Sequence, residues 1–349
     1  MSYKTNRNQQ EILEFLQQNP SCSSKEIHEG INIQISYATV KRVLASLIGA
    51  DFILVEGKGR GSKYRISVSY GLFRPVDIED YFKTEIDARQ IIDRFNFQLI
   101  TEVLSVTKLF TDEEKATLYK HQSDYEQNVR SLSKAQYNKE LERLAIDLSW
   151  KSSQIEGNTY SLLETERLLK DKETAAGKTK NEALMLLNHK DALDFIINDP
   201  NYLDPISVSR IEDIHSILIK DLGVDRNIRT RRVGISATNY RPLDNEFQIR
   251  EALQQMCILV NNKQCVFGKA LLSLVLLSYI QPFFDGNKRT ARIVSNAILI
   301  NNGYCPISFR TIDSVTYKKA MLLFYEQNNL SAFKEIFIQQ FEFAVNTYF

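Results

Sequence analysis

The stretch that most narrows the fold of this 349-residue chain is an apolar run that stops abruptly at a polar loop. From Ala270 to Ile280 nearly every side chain is apolar, so a helix there has no solvent face and belongs inside a helical domain. Serines interrupt it, and it is shorter than the roughly 20 residues a membrane span needs. Gln281 follows, and Pro282 blocks a clean continuation. "PFFDGNKRTAR" (282–292) then gathers a turn-forming glycine, an acid and three cations. Gly286 permits a tight turn with close backbone approach to a ligand. A new helix starts near Asn287 and continues through Ile293, Val294, Ala297 and Ile298. Its free N–H groups and positive dipole end make a ready anion site. Arg289 and Arg292 lie three residues apart on one helix face, and two guanidiniums there suit a chain of phosphates. Asp285 beside them is placed to hold a magnesium ion that in turn holds phosphate oxygens.

The rest of the chain divides by pattern. Asn6 to Asn19 carries Ile12, Leu13, Phe15 and Leu16 at helix-face spacing, and Ser23 to Glu26 has capping-box spacing. A third helix follows Ser36, with Val40, Val43, Leu44, Leu47 and Ile48 expected inward. "FILVEGKGRGSKYRIS" (52–67) reads as strand, glycine-rich turn, strand. Three short helices and a hairpin in about 65 residues resemble a winged helix-turn-helix. The net charge of the whole chain is only +1, so a nucleic-acid argument must be local. Tyr37, Lys41 and Arg42 on the third helix, with Lys58, Arg60 and Lys63 on the wing, supply the cations that phosphate contact needs. DNA is the partner this unit suggests. "GKGRG" is not a nucleotide loop, since it lacks the four-residue spacer and a strand follows it.

Residues 70–144 read as a linker and helical extension. Thr111–Leu144 is charged and helical, expected to face solvent, with a homodimer contact as its other use. From about 145 to 349 the chain reads as a compact helical domain, interrupted by "NIRTRRVGISATNYRPLD" (227–244), which reads as a small hairpin. The expected domains are therefore 1–69, 70–144 and 145–349. Four cysteines form no CxxC pair and no zinc spacing. The polar N-terminus lacks the apolar core of a signal peptide, so the expected location is cytoplasmic with no membrane partner.

The 281–292 stretch resembles the signature of the Fic family, His-x-Phe-x-(Asp/Glu)-Gly-Asn-(Gly/Lys)-Arg-x-x-Arg. Phe283, Asp285, Gly286, Asn287, Lys288, Arg289 and Arg292 match it. The fold implied is mainly α: an all-helical Fic domain with a small β-hairpin flap, plus the α+β winged helix-turn-helix. The resemblance implies transfer of AMP from ATP to a hydroxyl of a target protein, with Mg2+ on Asp285. It places Gly286 and Asn287 at the α-phosphate region, and Arg289 and Arg292 on the outer phosphates. Lys288, where many AMP-transferring members have glycine, adds a cation and makes the loop partly similar to the Doc branch. "SSQIEGN" (152–158) resembles the family's inhibitory motif through Ser152, Glu156 and Gly157, with Glu156 expected to pair with Arg292. Val233, Gly234, Ile235 and Ser236 fall where the family's flap aligns an extended target segment by strand addition.

Gln281 occupies the place of the family's proton-accepting histidine. An amide cannot take a proton near neutral pH, and loss of a general base costs about 10² to 10⁴ in rate. None of His28, His121, His189 and His215 reads as an obvious replacement. The expected function is an autoinhibited protein adenylyltransferase slowed at Gln281. One alternative is a nucleotide-sensing, DNA-binding regulator without catalysis. The other is a different phosphate transfer, or removal of AMP, in the same pocket. Tyr317, Tyr325, Asn328 and Asn329 are candidates for adenine contact.

Overall fold

The computed structural model describes residues 6–349, with the side chain of Arg60 outside the described residues. The N-terminal unit runs α1 (Arg7–Gln18), β1 (Cys22–Ser23), α2 (Ser24–Gly30), α3 (Tyr37–Gly49), β2 (Ile53–Glu56) and β3 (Lys63–Ile66). The strands form an antiparallel sheet in the order β1-β3-β2, with Val55 and Cys22 both opposite Tyr64. Each helix starts at a side-chain cap: Asn6 and Ser23 in capping boxes, Ser36 accepting from the Thr39 N–H. Ile12, Leu13, Leu16, Ile27, Val40, Leu44, Leu47 and Phe52 close a small core. Ile48 is not part of it. It is exposed, one residue before the helix ends at Gly49.

Beyond the wing come α4 (Val68–Phe73), α5 (Ile78–Tyr81), a π-helical turn Leu99–Val103 leading into α6 (Leu104–Val106), α7 (Asp112–Ser131) and α8 (Lys134–Ile155). The charged segment is thus two helices. Leu132 leaves helical geometry, and Ser133 opens α8 with a capping box to Gln136. α8 then runs without a break across residue 145 into the Ser152–Glu156 motif. The remaining helices are α9 (Leu162–Asp171), α10 (Lys180–Asn198), α11 (Val208–Leu218), α12 (Glu246–Asn262), α13 (Val266–Ile280), α14 (Asn287–Asn301), α15 (Ser314–Gln327) and α16 (Ser331–Tyr348).

α13 is the axis of the large core, and α14 packs along it. Ser273 and Ser278 are tolerated inside because their hydroxyls donate to Lys269 O and Leu274 O, each at 2.9 Å. The winged unit is docked rather than loosely tethered. Phe73 packs against both cores, and Lys334 Nζ lies 4.4 Å from its ring centroid. Leu330 N–H donates to Leu72 O, and Asn329 Nδ2 donates to Gly71 O and Arg74 O. Among the described residues, no helix is long and apolar enough to cross a membrane.

Segment 227–244 differs from the hairpin expected of it. It makes an extended excursion that turns at Ala237, a non-glycine residue with φ 67°, and no strand ladder joins its arms among the described residues. The second arm bonds instead to the linker. Arg241 N–H donates to Asp93 O at 2.9 Å, and Arg94 and Arg241 form a lone parallel bridge. Alternation around Val233 and Ile235 signalled extended backbone correctly, but an edge partner from far away in sequence displaced local pairing.

Candidate functional site

The site is built at the joint between α13 and α14. α13 ends because Gln281 takes a left-handed conformation, φ 51° and ψ 59°. Its N–H closes the helix on Leu277 O, and Pro282 turns the chain away. Phe283 plugs the floor, stacked on the His215 ring at 3.6 Å and 5°. Gly286 is required twice over. Its φ is +78°, and a Cβ there would come within 3.2 Å of His215 Cε1 and 3.3 Å of Ile219 Cγ2. α14 then starts with its first-turn N–H groups facing the loop.

Asn287 shapes the loop. Its Oδ1 accepts from Phe283 N–H, and its Nδ2 donates to Phe283 O and to Gln281 Oε1. Both N–H donors of the side chain expected at the α-phosphate are therefore engaged in bracing the turn. Gln281 is similarly engaged, since its Nε2 donates to Ser278 O at 2.6 Å. The donors left over belong to the arginines. Arg289 gives one NH2 bond to Asp285 Oδ2 at 2.9 Å, while its buried Nε and NH1 have no hydrogen-bond partner among the described residues. Arg292 is wholly buried and donates to Ser152 Oγ (2.8 Å), Ser152 O (2.9 Å) and Glu156 Oε1 (2.9 Å). Its NH1 has no such partner, and its guanidinium sits 5.4 Å from the Tyr317 ring centroid. Buried donors without acceptors are costly, and such donors suit an anion.

Glu156 caps α8 just before Gly157, whose φ of +100° lets the chain turn off. Its second oxygen faces Lys288 Nζ at 3.4 Å. Burial alone would push this carboxyl up, but Arg292, Lys288 and Arg289 outweigh burial and hold it below the usual glutamate value. Lys288 sits in the first turn of α14, where the helix dipole disfavours a cation. The Glu156 carboxylate offsets that placement.

The predicted sites thus converge in part. Gln281, Asp285, Gly286, Asn287, Lys288, Arg289 and Arg292 surround one loop, and Ser152 and Glu156 reach it from α8. Among the described residues no cluster of three or more His, Cys, Asp or Glu side chains could cage a metal. Asp285 nonetheless fits a magnesium ion that arrives on phosphates. It is an exposed carboxylate beside orphaned guanidinium donors, and magnesium commonly uses one or two carboxylates with phosphate oxygens completing the shell.

Other expectations take different roles. Tyr325 lies in an aromatic stack with Tyr240 and Tyr279, and Asn328 accepts from Asn96. With Asn329 tied to the linker, these three serve packing and docking. Tyr317 alone of the four adenine candidates stays beside the arginines. His215 was not singled out by sequence, yet it lies under the loop, its Nδ1 3.3 Å from Thr290 Oγ1. Burial lowers its pKa to about 4. With no exposed surface it is a floor, out of reach of a substrate hydroxyl. On the winged helix, Tyr37, Lys41, Arg42, Lys58 and Lys63 are all exposed, and Lys41 Nζ hovers 5.6 Å from the Tyr37 ring centroid.

A profile of the Fic/DOC family matches residues 205–299, which hold the α13–α14 joint. This chain carries a Fic/DOC domain. The penicillinase repressor family matches residues 6–95, the winged helix and the start of the linker. Protein adenylyltransferase fic-1 of Caenorhabditis elegans is 26% identical over 159 residues, 44% of this chain and 31% of that protein. Protein adenylyltransferase Fic of Nematostella vectensis is 29% identical over 182 residues, 48% of this chain and 40% of that protein. The chain therefore spans a third to two fifths of the length of these curated relatives. Among solved structures, a fragment of C. elegans Fic-1 superposes with a TM-score of 0.59 at 19% identity, covering 72% of this chain and 81% of that one. A Fic-domain signaling protein from Bacteroides thetaiotaomicron gives 0.57 at 18% identity, covering 66% and 94%. These likenesses bear on the fold. The Fic domain here has the helical architecture that its sequence implied, with the winged helix added at its N-terminus.

Proposed function

We propose that this protein binds Mg-ATP at the α13–α14 loop and transfers AMP to a hydroxyl of a target protein, with Glu156 as a built-in inhibitor. One observation carries the proposal. Arg292, the last residue of the Fic signature, is held by Ser152 and Glu156, beside an Arg289 whose buried donors lack acceptors. In this reading the orphaned donors and the first turn of α14 receive phosphates. Glu156 both repels them and occupies their guanidinium partner, so productive binding requires its withdrawal. Magnesium, bound through Asp285 and the phosphates, would neutralise charge on them. The target hydroxyl attacks the α-phosphorus, the bond to the bridging oxygen breaks, and pyrophosphate leaves. The hydroxyl proton has no side-chain base at Gln281, so it goes to solvent or phosphate. Positioning and electrostatics carry most of such transfers, which is why a slow reaction survives.

The winged helix, by this proposal, binds DNA through α3 and the wing, and the protein works in the cytoplasm. A second reading is favoured by the engagement of the Gln281 amide on both sides. In it the Fic domain only senses nucleotide and the winged helix acts on DNA. Removal of AMP from a modified protein ranks below both, because it needs an acid that an amide does not supply. The deciding experiment incubates the Glu156→Gly chain with Mg-ATP labelled at the α-phosphate, alone and in cell lysate. Labelled protein is the expected result. Nucleotide binding by calorimetry with no label overturns transfer in favour of sensing.

A further inference from the structure

Arg229 is among the largest fully buried side chains of the molecule, yet it belongs to no motif and no carboxylate hydrogen-bonds to it among the described residues. Its fork instead meets three backbone carbonyls. Nε donates to Gln281 O at 2.6 Å, NH1 to Arg231 O at 2.8 Å, and NH2 to Leu243 O. Its own N–H donates to Pro282 O at 3.0 Å. One residue thus joins both ends of the 228–243 excursion to the two residues that follow α13. Three carbonyls pointing at one centre, two from the excursion and one from the loop after α13, need donors diverging in one plane, which a guanidinium has and an ammonium lacks.

The bond to Gln281 O has a specific job. Gln281 sits in left-handed backbone, a conformation that costs a side-chain-bearing residue and persists only where neighbours enforce it. Arg229 grips the carbonyl of that strained peptide. Beyond it, the excursion is held at its far end by the linker: Arg89 NH1 donates to Ala237 O at 3.2 Å, and Asn239 Nδ2 to Asp87 Oδ1 at 2.9 Å. The middle, Val233 to Ser236, has no comparable tie among the described residues' backbone hydrogen bonds outside helices and strands.

We propose that Arg229 is a positioning residue that staples the base of segment 228–243 to the reactive loop, setting both the Gln281 peptide and the height of the segment over the pocket. The functional half of this inference rests on the reading of 233–236 as the target-aligning flap. Two arms of the test keep it separable from that reading. In the first, amide exchange is followed on the full chain for wild type, Arg229→Met and Arg229→Lys. Exchange at 230–242 and 281–283 is expected to rise at least tenfold in Arg229→Met and to lie between in Arg229→Lys, with α13 and α14 unchanged. Equal acceleration throughout α13 and α14, or none at 230–242, overturns the staple. Should Arg229→Met fail to fold, wild-type NMR still decides, because a bonded buried Nε–H exchanges slowly. An Arg229 Nε–H in fast exchange rejects the proposal.

In the second arm, Arg229→Lys is placed in the Glu156→Gly, Gln281→His chain. Labelling of target protein is expected to fall about tenfold while Mg-ATP affinity stays within about threefold. A matching fall in nucleotide affinity would make Arg229 part of the nucleotide site and sink the positioning role. If the parent chain labels nothing, the proposed transfer has failed, and the exchange arm still tests Arg229.

Discussion

Two sets of cations serve this molecule, and they are built in opposite ways. On the winged helix, Lys41, Arg42, Lys58 and Lys63 stand in water around a small core. In the Fic domain, Arg289 and Arg292 are stripped of water, aimed by α14, and partly unbonded. Exposed cations attract phosphate through counterion release, a strong function of salt with little regard for shape. Buried guanidiniums have lost their hydration on folding, so an anion that fits gains charge-assisted bonds at fixed geometry. The two regions also differ in what holds them ready. The wing relies on solvation, the Fic loop on Asn287, Arg229 and the carboxylate of Glu156.

The largest test of this contrast is chemical. Adding Gln281→His to the Glu156→Gly chain is expected to raise transfer by about 10² to 10⁴, read as label from the α-phosphate. Equal rates with and without the imidazole would mean that the buried site is limited by something other than a base.

A second test probes burial through pH. His215 is held to about 4 by desolvation, against 6.5 for an ordinary histidine. A depressed histidine favours folding when neutral, so its contribution is complete above pH 6.5 and shrinks as pH falls toward 4. The loss across that window is about 3 kcal/mol. His189, whose pKa is also lowered by burial and by Arg292 and Arg289, adds in the same direction. Urea unfolding between pH 7.5 and 4 should show the slope, and His215→Gln should flatten it. An unchanged slope would remove His215 from the sealed floor.

Next in size is the nucleotide. In the Glu156→Gly background, Arg289→Ala is expected to weaken Mg-ATP about ten- to a hundredfold, the worth of a charged hydrogen bond of about 1.5–3 kcal/mol. Raising salt should matter far less there than for DNA. If both ligands share one steep salt dependence, the contrast between the two cation sets collapses. The smallest effect is expected on the wing. Lys63→Ala should lower DNA affinity a few-fold for any sequence and cut the salt slope by about 1, with Mg-ATP binding untouched.

How much of this could be read in the sequence depends on range. The α13–α14 joint was legible because its chemistry is consecutive: an apolar helix, a turn glycine, cations at helical spacing. The capped helices of the winged unit were legible for the same reason, since Ser23 and Glu26 sit three apart. Arg229 was not. Nothing local distinguishes it from Arg226, Arg231 or Arg232, and its partners at 243 and 281 are set by the fold. Asn287 reads as a phosphate contact, and the bracing bonds of its amide add a role the sequence does not show, because residue type reveals donors but not where they are spent. The excursion at 227–244 reads as a hairpin because pairing with residues 93–94 leaves no trace in its own alternation.

α15 is a strut between the arginine pocket and the segment leaving the wing. Near its start Tyr317 lies over Arg292, and at its end Glu326 and Gln327 hold Tyr81, Arg89 and Arg74 of the segment leaving the wing. Its 14 residues make a rod about 20 Å long, gripped at both ends. A rod conveys displacement without having to melt: over this length a tilt of about 3° moves the far end by about 1 Å. A partner that shifted Tyr317 through Arg292 would tilt the helix to which the mounting of the winged unit is bonded.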